Sequence, residues 1–225
     1  MLDPIKVSIT TPGIGPDGLG EMGVPASILS AYLTANGIIP EKTTDFTVLM
    51  LFSIGITKGK WGTLIDTLLK FKEDYDNNTS LEEVLPDVVK AAPQRYSGMG
   101  LRDLCKEMFA AMKELKTTEF MSEGFAVLPH PDMSPSSAYE QLVLDNVEKV
   151  DLDGVAERTL ATGIVPYPPG IPLIMPGENA GPADGPALGY LKALEGFDRR
   201  FPAFEHDSHG VEVKDGKYYV TVLKK

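Results

Sequence analysis

The segment Gly163-Ile-Val-Pro-Tyr-Pro-Pro-Gly-Ile-Pro-Leu-Ile-Met-Pro-Gly-Glu178 constrains this chain more than any other, because it sets five prolines and three glycines in apolar sequence. Each proline fixes its own φ and lacks an amide donor, and each pushes the preceding residue out of the helical region. Val165 to Pro172 must therefore run extended, as neither helix nor central strand. Val165, Tyr167, Ile171, Leu173, Ile174 and Met175 favour burial by about 25 cal/mol per Å² of apolar surface. The segment reads as a rigid scaffold loop packed against the rest of the chain.

Around it the sequence alternates between strand and helix signals. Lys6–Thr10 has the alternation of a strand, and residues 12–23 form a loop with five glycines. Pro25 suits the first turn of a helix that ends at Asn36-Gly37. Ile38-Ile39 and residues 47–53 are β-rich runs, the second apolar on both faces and placed as a central strand. Trp61, Leu64, Ile65, Leu68 and Leu69 give residues 60–76 the apolar stripe of an amphipathic helix, with Trp61 in the core or at an interface. Strand, helix, strand, helix describes an α/β domain. Ser80-Leu-Glu-Glu83 is a capping box for a helix ending before Pro93, and residues 100–115 form the next helix. Residues 121–135 look irregular, and the domain boundary is expected there. Ser134-Pro135 starts a helix to about Val147, Pro186 starts one to about Phe197, and Asp215-Gly216 joins the last two strands in a hairpin.

Composition narrows the function classes. With 225 residues the chain can bury a sizeable core. Its 32 acidic against 21 basic residues give a net charge of −11, which excludes a nucleic-acid binder and suits cationic ligands. The single cysteine, Cys105, lies on the apolar face of its helix and fits a reducing, cytoplasmic setting. No apolar run reaches membrane-spanning length, so no membrane partner is expected.

Candidate chemistry is sparse. His206 and His209, beside Glu205 and Asp207, match no zinc spacing and read as a loop entering the final hairpin, so no metal site is expected. His130, between two prolines, reads as a packing residue. The glycines from Gly13 to Gly23 follow a strand as a phosphate loop would, but Pro16 interrupts them and the next helix opens with Pro25. Glu41 and Asp45 lie on a charged connection between two strands, and on residue type alone they are solvated turn acids.

Pro166-Tyr-Pro-Pro-Gly-Ile-Pro172 with Pro176-Gly-Glu178 resembles the C-terminal domain of the bacterial ornithine/lysine/arginine decarboxylases, large pyridoxal-phosphate enzymes of acid resistance and polyamine synthesis. Leu2-Asp-Pro-Ile-Lys-Val7, Thr43-Thr-Asp-Phe46, Phe52-Ser-Ile-Gly55, Gly59-Lys-Trp-Gly-Thr-Leu64 and Phe201-Pro-Ala-Phe-Glu-His206 resemble further stretches of that family, in order. Thr44-Asp-Phe46 and Gly59-Lys-Trp-Gly62 make the biodegradative arginine decarboxylase type the most similar. Pro40-Glu-Lys-Thr43 resembles the lysine type, so lysine and ornithine stay open as substrates.

The resemblance implies an α/β (α+β) fold. Residues 1–125 would be the small domain of an aminotransferase-like fold and residues 126–225 the Orn/Lys/Arg decarboxylase C-terminal domain, with the large pyridoxal-phosphate domain absent. The family's cofactor lysine directly follows a histidine, and none of His130, His206 and His209 precedes a lysine. No catalytic or cofactor-binding residue is therefore expected in this chain, and the chain alone should be inactive. Its implied part is substrate binding, through Glu41 first and Asp45 second, toward the distal cation of a basic amino acid. Implied partners are that substrate and copies of the chain, in a homodimer and a decamer favoured by acid. A chain without the large domain should expose apolar surface where that domain docks. The alternative is a non-catalytic interaction or regulatory module descended from such an enzyme.

Overall fold

Antiparallel pairing organises every sheet of the computed structural model, which describes residues 3–16 and 18–224; Leu2 of the first family-like stretch and Asp17 of the glycine-rich loop lie outside them. The chain divides into two units, one comprising residues up to Ala111 with Pro202–Phe204, the other Met112–Phe201 with Glu205 onward. In chain order the first holds β1 (Lys6–Thr10), β2 (Ile14–Gly15), β3 (Gly18–Leu19), α1 (Ala26–Ala35), β4 (Lys42–Thr43), β5 (Thr47–Leu51) and α2 (Lys58–Asn77). There follow α3 (Leu81–Val84), α4 (Pro86–Ala91), α5 (Pro93–Tyr96) and α6 (Leu101–Glu114). The second unit holds α7 (Thr117–Ala126), α8 (Pro135–Val143), β6 (Val147–Asp151), β7 (Val165–Tyr167), α9 (Pro186–Arg200), β8 (Asp207–His209), β9 (Val211–Lys214) and β10 (Lys217–Leu223). The fold is thus mixed helix and sheet, α+β in its pairing.

In the first unit β5 is central, as expected, between β1 and β4. It runs from Thr10↔Thr47 to Lys6↔Leu51 against β1, and its Val48 and Met50 are buried while Thr47 and Leu49 are only half-buried. Its apolar residues therefore serve one buried face rather than two. No strand forms at Ile38-Ile39. The Ile38 amide donates to Leu33 O at 2.9 Å and that of Gly37 to Thr34 O at 3.0 Å, a Schellman closure that commits these residues to the end of α1.

Helix α2 forms where expected but presents a different face. Its buried residues are Leu64, Thr67, Phe71 and Asp74, whereas Trp61 (46%), Ile65 (46%) and Leu69 (62%) remain exposed. The cause is polar. Asp74 accepts from Tyr32 Oη at 2.6 Å, Lys70 Nζ at 2.9 Å and Thr79 Oγ1 at 3.1 Å. Phe71 packs edge-on to Tyr32, with ring centroids 5.1 Å apart. Burial alone would raise the Asp74 carboxyl, but these hydrogen bonds hold it below the usual carboxylate range. Burial and the same Asp74 push the Tyr32 phenol up to about 12.

The helix expected from Ser80 to before Pro93 is broken at Pro86 into α3 and α4, and Pro93 opens α5 beyond its expected end. Leu85 (φ −137°, ψ 55°) and Ala92 (φ −141°, ψ 68°) each precede a proline and leave the helical region, as the proline ring requires. Ser80 still caps, accepting from the Glu82 amide at 3.2 Å. On α6, Leu101, Leu104, Cys105 and Met108 are fully buried, and burial pushes the Cys105 thiol up to about 12, far from a reactive thiolate.

Residues 117–126, in part read as irregular, are the helix α7. Its propensities are modest and it is held by packing on α9, where Gly189 lies against Phe120 and Gly124 against Pro186 and Ala187. The Ser134 side chain accepts from the Ser137 amide at 3.2 Å and starts α8, which ends at Val143, before the expected Val147. Residues 147–151 are instead β6, pairing with β10 from Val147↔Leu223 to Asp151↔Tyr219. The hairpin at Asp215-Gly216 forms with both residues at positive φ (52° and 71°), the primed turn that matches strand twist.

The proline-rich segment folds back on itself. Ile164 N donates to Ile174 O at 2.9 Å and Leu173 N to Ile164 O at 2.8 Å, so Ile164, Leu173 and Ile174 enter the core as the two ends meet. Between the two ends Tyr167 and Ile171 stand exposed, as does Met175 just beyond them, contrary to the expectation of burial. The Tyr167-Pro168 and Pro168-Pro169 peptides are cis. The segment is edge-paired only, through β7 with β8 (Val165↔His209).

Two expectations follow. At Gly210 φ is +81° and an added Cβ would run into Gly163 O, so Gly210→Ala should destabilise by about 2 kcal/mol or more. Gly181→Ala, also at positive φ (+76°) but in open space, should cost only about 1 kcal/mol; urea titration read by far-UV circular dichroism decides, and equal costs would contradict the steric account. In the first unit, Tyr32 ionises at a higher pH folded than unfolded, so its contribution is present below pH about 10 and is lost as pH rises toward 12. Tyr32→Phe should therefore lose roughly 1–2 kcal/mol at neutral pH, with the deficit shrinking between pH 10 and 12. Fluorescence of Trp61, the chain's single tryptophan, reports this unit, and a deficit independent of pH would refute the assignment.

Candidate functional site

The connection that carries Glu41 and Asp45 is built by β4 and β5. Glu41 stands just before β4, its side chain exposed and its amide donating to Leu49 O at 2.9 Å. Thr43 pairs with Val48, and Thr43 Oγ1 donates to Ser30 Oγ of α1 at 3.0 Å. A tight turn then reverses the chain. Thr44 N donates to Thr47 O at 2.8 Å, and the two threonine hydroxyls meet at 2.6 Å. Asp45 and Phe46 are the middle residues of that turn: Phe46 is buried and Asp45 half-buried. Glu41 thus stands just before the two-residue strand β4, and Asp45 lies beyond it in the turn. They are two carboxylate positions on one connection, not a single paired site.

The Asp45 end is the more enclosed. Thr11, at the end of β1, donates through its amide (2.9 Å) and its hydroxyl (3.3 Å) to Phe46 O. Ala26, which opens α1, donates to Asp45 O at 2.9 Å. Residues 12–25 therefore form a loop whose two ends are fixed to consecutive carbonyls of the Asp45-Phe46 turn. The loop is closed at its base by Val24 N to Pro12 O (2.8 Å) and Gly20 N to Gly13 O (2.9 Å). Those amides are committed within the loop, and α1 follows Pro25 with no capping side chain.

In the second unit the histidines have structural partners. Asp198 on α9 accepts from His206 N at 3.1 Å, meets His206 Nδ1 at 2.6 Å and accepts from the Tyr218 hydroxyl. Glu195 accepts from Tyr218 N at 2.6 Å. Burial, followed by Asp198, raises the Tyr218 phenol strongly. This network fixes β8 and β10 to α9. The sequence carried no signal for it, since a histidine eight residues beyond an aspartate has no recognisable spacing. His209 stacks on Tyr167, ring centroids 5.2 Å apart. No group of three metal-ligating side chains occurs among the described residues.

His130 is not a packing residue: its side chain is 82% exposed, 3.5 Å from Asp132. The backbone is what is held there, with His130 O accepting from Asn179 N at 2.8 Å. Asp132 accepts from Thr159 Oγ1 at 2.6 Å and Asn179 Nδ2 at 3.0 Å, and these bonds lower its carboxyl. Beside it Val127, Leu128, Pro182 and Pro186 line a mainly apolar cleft of about 390 Å³. Glu178, of the Pro-Gly-Glu run, accepts from Met175 N at 2.7 Å and so closes the proline-rich loop. No described helix is long and apolar enough to cross a membrane.

Comparison with known proteins accounts for both units. Residues 118–224 match the family model "Orn/Lys/Arg decarboxylase, C-terminal domain", and residues 1–60 match "Orn/Lys/Arg decarboxylase, major domain". The biodegradative arginine decarboxylase of Escherichia coli strain K12 is 46% identical over 225 residues, 100% of this chain and 30% of the relative. The lysine decarboxylase LdcA of Pseudomonas aeruginosa is 48% identical over 217 residues, 96% of this chain and 29% of the relative. The structure of E. coli constitutive lysine decarboxylase superposes with a TM-score of 0.94 at 37% identity, over 99% of this chain and 32% of that one. The chain thus spans about 30% of the length of the curated relatives it matches. It belongs to the Orn/Lys/Arg decarboxylase family, of which it carries a C-terminal portion.

Proposed function

We propose that the chain is the substrate-facing and assembly-forming part of a pyridoxal-phosphate-dependent decarboxylase of basic amino acids, with arginine to agmatine and CO₂ as the first reading and lysine or ornithine as the others. Residues 1–125 serve as the small domain and residues 126–225 as the C-terminal domain. The observation that carries this reading is identity of 46% running end to end with an arginine decarboxylase of which the chain matches only 30%. Lysine decarboxylases at 48% and 37% identity keep the choice of substrate open.

Pyridoxal phosphate supplies the electron sink for loss of CO₂. The residues present do not fit it: no histidine precedes a lysine, and the amides at the base of the glycine-rich loop bond within the loop. The cofactor and its lysine accordingly belong to sequence outside this chain. This chain's own work is to bind and orient. A guanidinium or ammonium removed from water needs a carboxylate partner, and Glu41 and Asp45 supply candidates at the two ends of β4. Trp61, Ile65 and Leu69 on α2 give an apolar stripe suited to covering by the large domain. The functional unit is a cytoplasmic homodimer that assembles into a decamer. The net charge of −11 on this chain makes close association easier as carboxylates protonate.

The purified chain, given pyridoxal phosphate with arginine, lysine or ornithine, is expected to release no CO₂. In the decarboxylase that contains it, Glu41→Gln or Asp45→Asn should raise KM for the preferred substrate by about 10- to 100-fold with little change in kcat. CO₂ release by the chain alone would overturn the placement of the chemistry. An unchanged KM in both variants would remove the substrate role and favour the non-catalytic module.

A further inference from the structure

The glycine-rich loop has a use beyond joining β1 to α1. Its two ends are bonded to the carbonyls of Asp45 and Phe46, through Thr11 on the way in and Ala26 on the way out. Its arms are pressed together at the base. An added Cβ on Gly13 would stand 2.6 Å from the Gly23 Cα and 2.8 Å from Phe109 Cε2, and one on Gly23 would also strike the Phe109 ring. Phe109 in turn packs edge-on to Phe46 of the turn, ring centroids 5.9 Å apart. One buried aromatic pair therefore sets the turn and the base of both arms. Beyond that base the arms carry Ile14 and Met22, both exposed apolar side chains, within four residues of the bonds to the Asp45-Phe46 turn.

A basic amino acid has two parts to recognise: a distal cation, which needs a carboxylate, and a methylene chain, which needs apolar cover. The turn supplies the first at Asp45. We propose that the arms of the glycine-rich loop supply the second, with Ile14 and Met22 as specificity-determining residues for the aliphatic chain and Phe109 as the positioning residue that holds arms and turn in register. The inference rests on the reading that the β4–β5 connection meets the substrate. It assigns to the loop a contact with the substrate's carbon chain and none with a phosphate.

The test separates the two readings. The ¹⁵N-labelled chain is titrated with agmatine, which has both guanidinium and methylene chain, and with methylguanidine, which lacks the chain. Agmatine is expected to shift the amides of Asp45 and Phe46 together with those of Gly13, Ile14, Met22 and Gly23, and methylguanidine only those of the turn. Met22→Gln and Ile14→Ser, exposed positions whose substitution leaves the core intact, should weaken agmatine about threefold or more and methylguanidine less than about twofold. Shifts at the turn, abolished by Asp45→Asn, with unmoved arms would overturn the inference and leave the substrate reading standing. Equal weakening of both probes would show that the arms act on the cation or the fold, and would overturn it too. No shift in either region would overturn both.

Discussion

A carboxylate taken out of water must be surrounded by donors, and each unit of this chain is arranged around one that is. In the first it is Asp74, which receives Tyr32, Lys70 and Thr79 and thereby sets the rotation of α2 against α1. In the second it is Asp198, which receives the His206 backbone and the Tyr218 hydroxyl and ties α9 to β8 and β10. Apolar burial alone leaves a helix free to roll by a few tens of degrees; a buried acid with directional partners does not. Truncating one partner leaves the acid short of a donor, which costs more than the bond contributes on balance.

The effect on the candidate site is indirect but traceable. With α1 and α2 locked, the start of α1 is fixed, and Ala26 can hold the Asp45 carbonyl from one side while Thr11 holds Phe46 from the other. The turn is rigid because its backbone is held from outside and its hydroxyls bond within it. A loop acid so held pays little of the ordering entropy that an acid on a mobile loop would lose on binding a cation. The same logic places β8 in the second unit, and β8 carries the paired edge of the proline-rich loop.

What the sequence made legible was chemistry that acts within a few residues. Ser134 as a cap, Pro25 and Pro186 as helix openers and Asp215-Gly216 as a hairpin turn all hold in the structure. Pro93 ends α4 as its missing amide requires, and Pro86 imposes the same break earlier, between α3 and α4. Errors concentrate where distant partners decide. Hydropathy favoured Trp61, Ile65 and Leu69 as the buried face of α2, because the bond from Tyr32 to Asp74 spans 42 residues and leaves no local mark. The strand β6 was missed because Val147-Glu-Lys-Val-Asp151 alternates weakly, and it pairs with a strand some seventy residues on. Glu41 and Asp45 were visible as acids on a strand connection. Their separation by β4, and the enclosure of only one of them, depended on bonds from Thr11 and Ala26 that no spacing reveals.

The face α2 leaves outward bears on how the chain is used. Burying a large apolar side chain is worth about 1.5–3 kcal/mol, so a domain optimised to stand alone would turn Trp61, Ile65 and Leu69 inward. This one turns Asp74 inward instead and leaves the three apolar residues on one side of the helix, four residues apart, at the spacing of a contact stripe. The arrangement is hard to reconcile with selection for stability of this chain in isolation, and it follows readily if a further surface covers the stripe. On this argument the outward stripe and the inward acid are one feature: Asp74 fixes the roll of α2, and the roll determines which residues remain outward.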